Sequence, residues 1–211
     1  MAPLTAAPRA FTCLVPVHAG DDADHFAIAL ESIFANTLAP ARVLICEDGP
    51  LPAPLREVAR RALGRGAWRL SNPGPRGLHH ALNHALGEVR TPWVCRADAD
   101  DVNLPTRFEA QVNFLARHPE VDALGTGIVE FWPDRRERRK AMALTHEAIA
   151  RRARYRNPIN HMTAFFRTGA ALACGGYPAI PLKEDYGLWL AMIGAGYRLA
   201  NLEAPLVRAR L

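Results

Sequence analysis

Residues 93–101 read Trp93-Val94-Cys95-Arg96-Ala97-Asp98-Ala99-Asp100-Asp101, an apolar run that changes into three carboxylates within four positions. A buried strand that emerges from a sheet has this pattern, with the acids at its carboxyl end, where ligands bind in open α/β sheets. Crowded carboxylates repel one another, so they need a cation, hydrogen-bond donors or full solvation. Mg²⁺ or Mn²⁺ shared with substrate phosphates suits such an acidic site. A solvated acidic loop or a helix cap has the same short pattern, so the rest of the chain must discriminate between them.

The composition is that of an ordinary globular protein. Its 211 residues are 49% hydrophobic and 22% charged, which fits one domain with a sizeable core. The cysteines, Cys13, Cys46, Cys95 and Cys174, are far apart and show no C-x-x-C spacing, so we expect reduced core residues without metal or disulfide roles. No signal peptide is evident, and no run approaches the roughly 18 apolar residues of a membrane span. The sequence therefore predicts a cytoplasmic protein.

Two clusters hold much of the excess positive charge. The formal net charge is +5, and arginines and a lysine gather at residues 135–140 and at residues 151–156. Such patches attract nucleic acid, anionic lipid or phosphorylated ligands, although a solvated surface is the ordinary interpretation of a charge run. Nucleic-acid modules add stacking aromatic residues or a motif to the charge. We find neither, so we predict no nucleic-acid partner, whereas peripheral binding at the inner face of a membrane is compatible with the basic surface.

Strand and helix signals alternate through the first half of the chain, which predicts an α/β fold with a Rossmann-like, mostly parallel central sheet flanked by helices. Predicted strands cover residues 11–17, 42–46, 68–70, 93–96, 121–131, 161–166 and 197–202. Predicted helices begin at Asp21-Asp22 and at Pro105 and cover residues 54–63, 78–86, 146–155 and 184–193. Residues 125 and 127 are glycines, which indicates a bulge or a close backbone approach. We expect one domain over residues 1–211, with a nucleotide-binding half at about 10–104 and an acceptor and catalytic half at about 105–211.

An ordered set of short motifs runs along almost the whole chain. It comprises Leu14-Val15-Pro16-Val17, Cys46-Glu47-Asp48-Gly49, Gly77-Leu78-His79-His80-Ala81-Leu82-Asn83, Arg96-Ala97-Asp98-Ala99-Asp100-Asp101, Pro105-Thr106-Arg107-Phe108, Arg156-Asn157-Pro158-Ile159-Asn160-His161, Gly175-Gly176-Tyr177 and Glu184-Asp185-Tyr186-Gly187-Leu188-Trp189-Leu190. With this set the chain resembles the inverting family-two glycosyltransferases of GT-A fold, and within them the branch that builds bacterial capsule and exopolysaccharide. The resemblance implies transfer of a sugar from a nucleotide-diphospho-sugar, with UDP as the expected nucleotide, to a sugar or lipid-linked sugar acceptor.

The resemblance also assigns roles to the acids after the fourth strand. It implies that Asp100 binds Mn²⁺ or Mg²⁺ directly, and that Asp98 contacts the ribose or reaches the metal through water. Asp101 either supports the metal shell or caps the helix that begins near Pro105, and the cap is the favoured interpretation.

Donor binding involves the first two strand ends and the loop that precedes the third helix. The nucleotide base of the donor is expected near Pro16 and Val17. Glu47 or Asp48 would accept a hydrogen bond from a uracil N–H, although a plain turn carboxylate is the alternative. Arg76 lies before a helix N-terminus. Its positive charge and the positive end of the helix dipole both favour binding of the donor pyrophosphate there.

Asp185 is the candidate general base, which would remove the proton of the acceptor hydroxyl as it attacks the anomeric carbon. Family matching favours Asp185 over its neighbour Glu184, and an acid that only benefits from the helix dipole would have the same position. His161 would contact the donor phosphates or the acceptor, or it is a satisfied structural residue.

Two departures from the family pattern lead to the alternatives. The second strand ends in Glu47-Asp48-Gly49-Pro50, where the family more often has Asp-Asp-Gly-Ser, and the family usually continues well beyond the last strand. The Gln-x-x-Arg-Trp motif of processive synthases is missing, which favours addition of a single sugar. A sugar-nucleotide-binding subunit with weak catalysis and a nucleotidyltransferase are the competing functions. The second normally carries a Gly-rich loop with a Lys or Arg near the N-terminus, which the residues after Pro16 do not supply. Oligomeric state is not predicted.

Overall fold

The computed structural model describes residues 10–211. Its strands are β1 (Phe11–His18), β2 (Arg42–Asp48), β3 (Trp68–Ser71), β4 (Trp93–Arg96), β5 (Val102–Asn103), β6 (Ala123–Phe131), β7 (Glu137–Lys140), β8 (Phe165–Arg167) and β9 (Leu199–Arg210). Its helices are α1 (Ala23–Phe34), α2 (Ala53–Leu63), α3 (Leu78–Glu88), α4 (Arg107–Arg117), α5 (His146–Arg152), α6 (Thr168–Ala173) and α7 (Glu184–Gly194), with a 3₁₀ turn at His161–Thr163.

The strands form one sheet in the order β3-β2-β1-β4-β8-β6-β9-β5, and β7 pairs with β6 outside this path. β1, β2, β3 and β4 are mutually parallel, whereas β8 is antiparallel to both β4 and β6. β9 is parallel to β6 again. The predicted α/β class with a mostly parallel, mixed sheet is confirmed, and the carboxyl ends of β1, β2 and β4 meet at one edge.

Hydrophobic clusters cover both faces of this sheet. One contains Phe26 and Ile33 of α1, Leu55 of α2 and Phe108 of α4. The other contains Leu82 of α3 together with three α7 residues predicted to face inward, Leu188, Trp189 and Met192. The four cysteines are free, as expected, and three of them are buried. These layers hold the carboxyl ends of β1, β2 and β4 in fixed positions.

Several elements differ from the prediction. β9 continues to Arg210, eight residues beyond the predicted end at Leu202, because it pairs with β6 along its length. Pro205, which reads as a strand breaker, is accommodated where the register shifts around Gly127, so the predicted bulge is confirmed. α5 ends at Arg152 rather than Tyr155. Part of the predicted strand at 161–166 is the 3₁₀ turn, and the short elements β5, β7 and α6 were not predicted.

Gly127→Ala should destabilise the protein at this bulge. A Cβ at residue 127 would lie 2.7 Å from the backbone oxygen of Glu203, which cannot move without disturbing the β6–β9 pairing. We expect a loss of about 1–3 kcal/mol in the free energy of unfolding, measured by urea denaturation. Gly87→Ala is the matched control, since no atom lies within 4 Å of its Cβ and a helical alanine is favourable. Equal stability of the two variants would contradict the close approach.

Arg107 fixes the end of β4 through buried hydrogen bonds. Its guanidinium is fully buried and donates hydrogen bonds to the carbonyl oxygen of Arg96 at 2.6 Å, to Gln111 Oε1 at 3.1 Å and to the Asn103 side chain. Gln111 in turn donates to the carbonyl oxygen of Thr163 at 2.8 Å. All three donor nitrogens of the cation are therefore satisfied, as burial requires. This network holds the strand end and the 3₁₀ turn in one arrangement.

No helix between residues 10 and 211 combines the length and the apolar character needed to cross a bilayer.

Candidate active site

A cavity of about 200 Å³ opens at the carboxyl ends of β1, β2 and β4. The predicted site residues that line it are Pro16, Val17, Asp48, Asp98 and Asp100. These side chains come from three strands that are far apart in the sequence, and parallel pairing brings their ends to the same edge of the sheet. The remaining lining residues are His18, Asp21, Leu78, Arg96 and Ala99.

Three carboxylates cluster at this cavity. Asp98, Asp100 and Asp101 each present an oxygen, and these oxygens lie within 4.8 Å of one another. Burial raises the pKa of Asp100, and the charge of Asp98 raises it further. Burial and Asp98 also raise the pKa of Asp101, to about 8. A divalent cation would offset both the repulsion and the desolvation, so the cluster is chemically suited to one.

Asp101 is not the helix cap that the sequence favoured. α4 begins at Arg107, its N-cap is Thr106, and that cap makes no side-chain hydrogen bond. Asp101 Oδ1 instead accepts a hydrogen bond from the backbone N–H of Arg210 at 2.9 Å, which ties β9 to the acidic cluster. Its other oxygen, Oδ2, is buried without a hydrogen-bond partner. An orphaned carboxylate oxygen beside Asp98 and Asp100 is a further observation in favour of a cation site.

Arg96 is the cation of the cavity wall. Its side chain is almost completely buried, and its Nη1 lies 2.6 Å from Asp98 Oδ1. The same nitrogen donates to the carbonyl oxygen of Ala97, while Nε is buried without a partner. The ion pair therefore fixes the carboxylate of Asp98 toward the cavity.

Asp48 holds the loop that follows β3. Its two carboxylate oxygens accept hydrogen bonds from the backbone N–H groups of Arg76 and Gly77, at 2.8 and 2.9 Å. Gly77 has a φ of 93° and is the N-cap residue of α3, so the carboxylate lies at the positive end of that helix. The acid thus both lines the cavity and fixes the start of α3.

Glu47 and Arg76 are placed differently from Asp48. Glu47 is buried outside the cavity lining, accepts a hydrogen bond from Ser71 Oγ and lies 3.8 Å from Arg69 Nε. Of these two neighbours at the end of β2, only Asp48 lines the cavity. The Arg76 side chain contacts His80 Nε2 at 3.0 Å and lines a neighbouring pocket with His79 and His84.

Asp185 lies at the start of α7 and outside the cavity lining. Its Oδ2 accepts a hydrogen bond from Asn157 Nδ2 at 2.5 Å, and its Oδ1 accepts one from the N–H of Tyr186 at 2.7 Å. Burial raises the pKa of Asp185, while these hydrogen bonds and the charge of Arg96 oppose the rise. The carboxylate is therefore fixed by the loop after α5 and by the first turn of α7, and it is not part of the cavity wall.

His161 belongs to an aromatic cluster and does not line the cavity. Its Nε2 lies 3.2 Å from the Tyr177 hydroxyl, and its ring packs against Tyr177 and Trp189. Burial lowers the pKa of His161 well below its usual value, with Arg96 adding to the effect. The lowered pKa disfavours the charged form of the ring, and together with the contacts to Tyr177 and Trp189 it favours the structural interpretation over a charged contact with phosphate.

Sequence reasoning assigned no role to Arg96 or to Asn157, although both lie within the motifs it quoted. A cation next to three carboxylates is a local signal that could have identified the partner of Asp98. The pairing of Asn157 with Asp185 joins residues 28 positions apart, and no pattern in the sequence indicates it.

Comparison with known proteins gives consistent matches. A family model described as Glycosyl transferase family 2 matches residues 12–177. The chain is 33% identical over 207 residues to the amylovoran biosynthesis glycosyltransferase AmsE of Erwinia amylovora, covering 95% of this chain and 76% of the relative. It is 31% identical over 204 residues to a UDP-Gal:alpha-D-GlcNAc-diphosphoundecaprenol beta-1,3-galactosyltransferase of Escherichia coli, covering 95% and 74%.

Solved structures match over nearly the whole chain but at low identity. TarS 1–349 of S. aureus in complex with UDP has a TM-score of 0.76 at 16% identity, covering 96% of this chain and 60% of that one. The mannosyltransferase PcManGT of Pyrobaculum calidifontis, in complex with GDP-Man and Mn²⁺, has a TM-score of 0.71 at 19% identity, covering 98% and 57%. The chain thus spans little more than half the length of these two crystallised chains, and the likeness concerns the fold.

Proposed function

Because the chain belongs to glycosyltransferase family 2, we propose that it moves a single sugar from a nucleotide-diphospho-sugar to a hydroxyl group of an acceptor. The solved glycosyltransferases share its architecture, so the predicted GT-A fold is confirmed. The observation that carries the proposal is the cavity at the carboxyl ends of β1, β2 and β4, where Asp98 and Asp100 face the ends of the other two strands.

For the donor we propose a UDP-sugar. One relative carries UDP-Gal in its name, and TarS was solved with UDP, whereas PcManGT was solved with GDP-Man, so the fold alone accommodates two nucleotides. In this chain Pro16 and Val17 would form the apolar wall beneath the base, and Asp48 is the acid at the cavity that could accept from a uracil N–H. The carboxylate of Asp98, which is fixed by Arg96, would accept a hydrogen bond from a ribose hydroxyl or from a metal-bound water.

We propose that Asp100 and Asp98 hold Mn²⁺ or Mg²⁺, with Asp101 beside them. The unpartnered Oδ2 of Asp101 and the short separations within the cluster support this assignment. When bound, a divalent ion there supplies Lewis-acid neutralisation of the charge that develops on the departing diphosphate.

Inversion at the anomeric carbon needs a base on the acceptor side, and we propose Asp185. The acceptor hydroxyl must lose its proton as it attacks, and a carboxylate held by Asn157 and the Tyr186 N–H has a fixed orientation for that task. A raised pKa makes Asp185 a stronger base than an exposed aspartate, provided that it is ionised at the working pH. Its place outside the donor cavity suits a group that faces the acceptor.

For the acceptor we propose a lipid-linked sugar in cell-surface polysaccharide assembly, reached by peripheral association with the membrane. The name of the E. coli relative contains a diphosphoundecaprenol acceptor, and AmsE is named for amylovoran biosynthesis.

Donor binding tests this function directly. UDP with Mn²⁺ should raise the melting temperature of the purified protein, whereas UDP with EDTA should raise it less. A panel of UDP- and GDP-sugars assayed for slow hydrolysis then identifies the sugar. Absence of a shift with every nucleotide would remove the donor-binding proposal.

A further inference from the structure

The two basic clusters differ in how their charges are compensated. In the hairpin of β6 and β7, Arg136 lies 2.6 Å from Asp134, Arg138 lies 2.5 Å from Glu130, and Lys140 lies 3.9 Å from the same glutamate. Arginines of this region also lie over the rings of Trp132 and Phe131. Three of the five hairpin cations therefore have carboxylate partners, whereas Arg135 and Arg139 form no ion pair among residues 10–211.

The second cluster has no such partners. Arg151, Arg154 and Arg156 are exposed at the end of α5 and in the loop that follows, and Lys183 is exposed immediately before α7. Among residues 10–211, none of these four cations forms an ion pair. Four positive charges without carboxylate partners give this surface a positive potential, which attracts anions.

Large side chains project between these cations. Tyr155 is 83% exposed and Leu182 is 95% exposed, the highest value among the large hydrophobic residues of the described chain. Leu182 also has a φ of 62°, a conformation that a bulky residue rarely adopts. Nearby Ile180 is 46% exposed. Leu182 thus exposes an aliphatic side chain to water from a strained backbone conformation. Such an arrangement is unusual unless an apolar partner binds the side chain.

Two hydrogen bonds place these segments side by side. The Tyr186 hydroxyl donates to the carbonyl oxygen of Ala153 at 2.5 Å, and Asn157 Nδ2 donates to Asp185 at 2.5 Å. The loop after α5 and the first turn of α7 are therefore in direct contact. We call this region the acceptor-side surface; it consists of Arg151, Arg154, Tyr155, Arg156, Leu182 and Lys183. It adjoins Asp185.

We propose that the acceptor-side surface docks the protein on an anionic phospholipid bilayer, with its cations at the headgroup phosphates and Tyr155 and Leu182 in the interface. Aromatic and aliphatic side chains surrounded by basic residues are the chemistry of interfacial binding. A single-stranded nucleic acid would need a series of stacking rings, whereas this surface offers one. Docking in this orientation would bring a membrane-borne acceptor to Asp185, a consequence that rests on the proposed function.

Vesicle binding tests the proposal with a matched pair of variants. The first is Arg151→Gln/Arg154→Gln/Arg156→Gln, assayed by co-sedimentation with phosphatidylcholine vesicles that contain or lack phosphatidylglycerol. Each basic residue near an anionic surface strengthens binding about fivefold, so this variant should bind anionic vesicles on the order of a hundredfold more weakly than the wild type.

The control, Arg135→Gln/Arg139→Gln/Lys140→Gln, removes the same net charge from the hairpin. It should keep most of the binding, because the hairpin is not part of the acceptor-side surface. A second variant, Leu182→Ser, changes a side chain with almost no packing and should weaken binding without affecting folding.

The outcomes separate this proposal from the proposed function. Stabilisation by UDP and Mn²⁺ should be unchanged in all three variants, because none lines the donor cavity. Three outcomes would overturn membrane docking without affecting the donor-site proposal. The two triple variants could bind vesicles equally, the wild type could fail to bind vesicles, or an oligonucleotide could bind preferentially and displace the vesicles. If the wild-type protein does not bind UDP, that result would contradict the proposed transferase function and would leave the membrane-docking proposal unaffected.

Discussion

Replacement of Asp100 by alanine is expected to lower sugar transfer by about three orders of magnitude and to abolish the stabilisation by UDP with Mn²⁺. Asp100 lines the cavity and lies within 4.8 Å of the carboxylate oxygens of Asp98 and Asp101. In the proposed site the cation would lose a direct ligand, and with it the neutralisation of the departing diphosphate, which is worth several kcal/mol. Melting curves with UDP in the presence of Mn²⁺ or EDTA measure the binding part, and a transfer assay measures the rate.

Asp134→Ala is the matched control for this experiment. Asp134 is an exposed acid in the β6–β7 hairpin whose partner is Arg136 at the surface, and removing such a pair costs little. This variant should retain the UDP-dependent shift. If Asp100→Ala responds to UDP and Mn²⁺ as the wild type does, the cation is bound elsewhere.

Asp185→Asn should separate catalysis from donor binding. The amide keeps the shape of the side chain but cannot accept a proton, so we expect transfer to fall by about 10²- to 10⁴-fold while the UDP-dependent shift persists. Asp185 lies outside the donor cavity, so the substitution leaves Asp48, Asp98 and Asp100 in place. Transfer and UDP binding are measured on the same preparation.

The pH profile gives a second readout of the same residue. The base acts in its ionised form, and burial raises the pKa of Asp185 above its usual value. The wild-type rate should therefore rise with pH as this carboxyl loses its proton and then level off, and the residual rate of the asparagine variant should lack that rise. Glu184→Gln discriminates between the neighbours: if it abolishes transfer while Asp185→Asn is active, the base is Glu184.

Local sequence determined the donor side of the site. The strands β1, β2 and β4 each carry an apolar run and end at a polar residue, at His18, Asp48 and Arg96, and parallel strands with crossover helices bring such ends to one edge. The convergence of Asp48, Asp98 and Asp100 on one cavity therefore follows from patterns that span only a few residues each. The motifs also indicated the family, because their order was preserved along the chain.

Contacts between distant residues decided the rest. Asp101 reads as a helix cap in its own neighbourhood, yet it binds the backbone of Arg210, 109 positions away, because β9 runs past the acidic cluster. The length of β9 depends on β6 and on the bulge at Gly127, which overrides the breaking tendency of Pro205. Glu47 and His161 matched motifs as well as Asp48 did, but Glu47 contacts Ser71 and Arg69, and His161 packs against Tyr177, so neither lines the cavity. The sequence alone thus determined which elements form and where polar residues follow strands, whereas the direction and partners of each side chain depend on long-range packing, which only the tertiary structure contains.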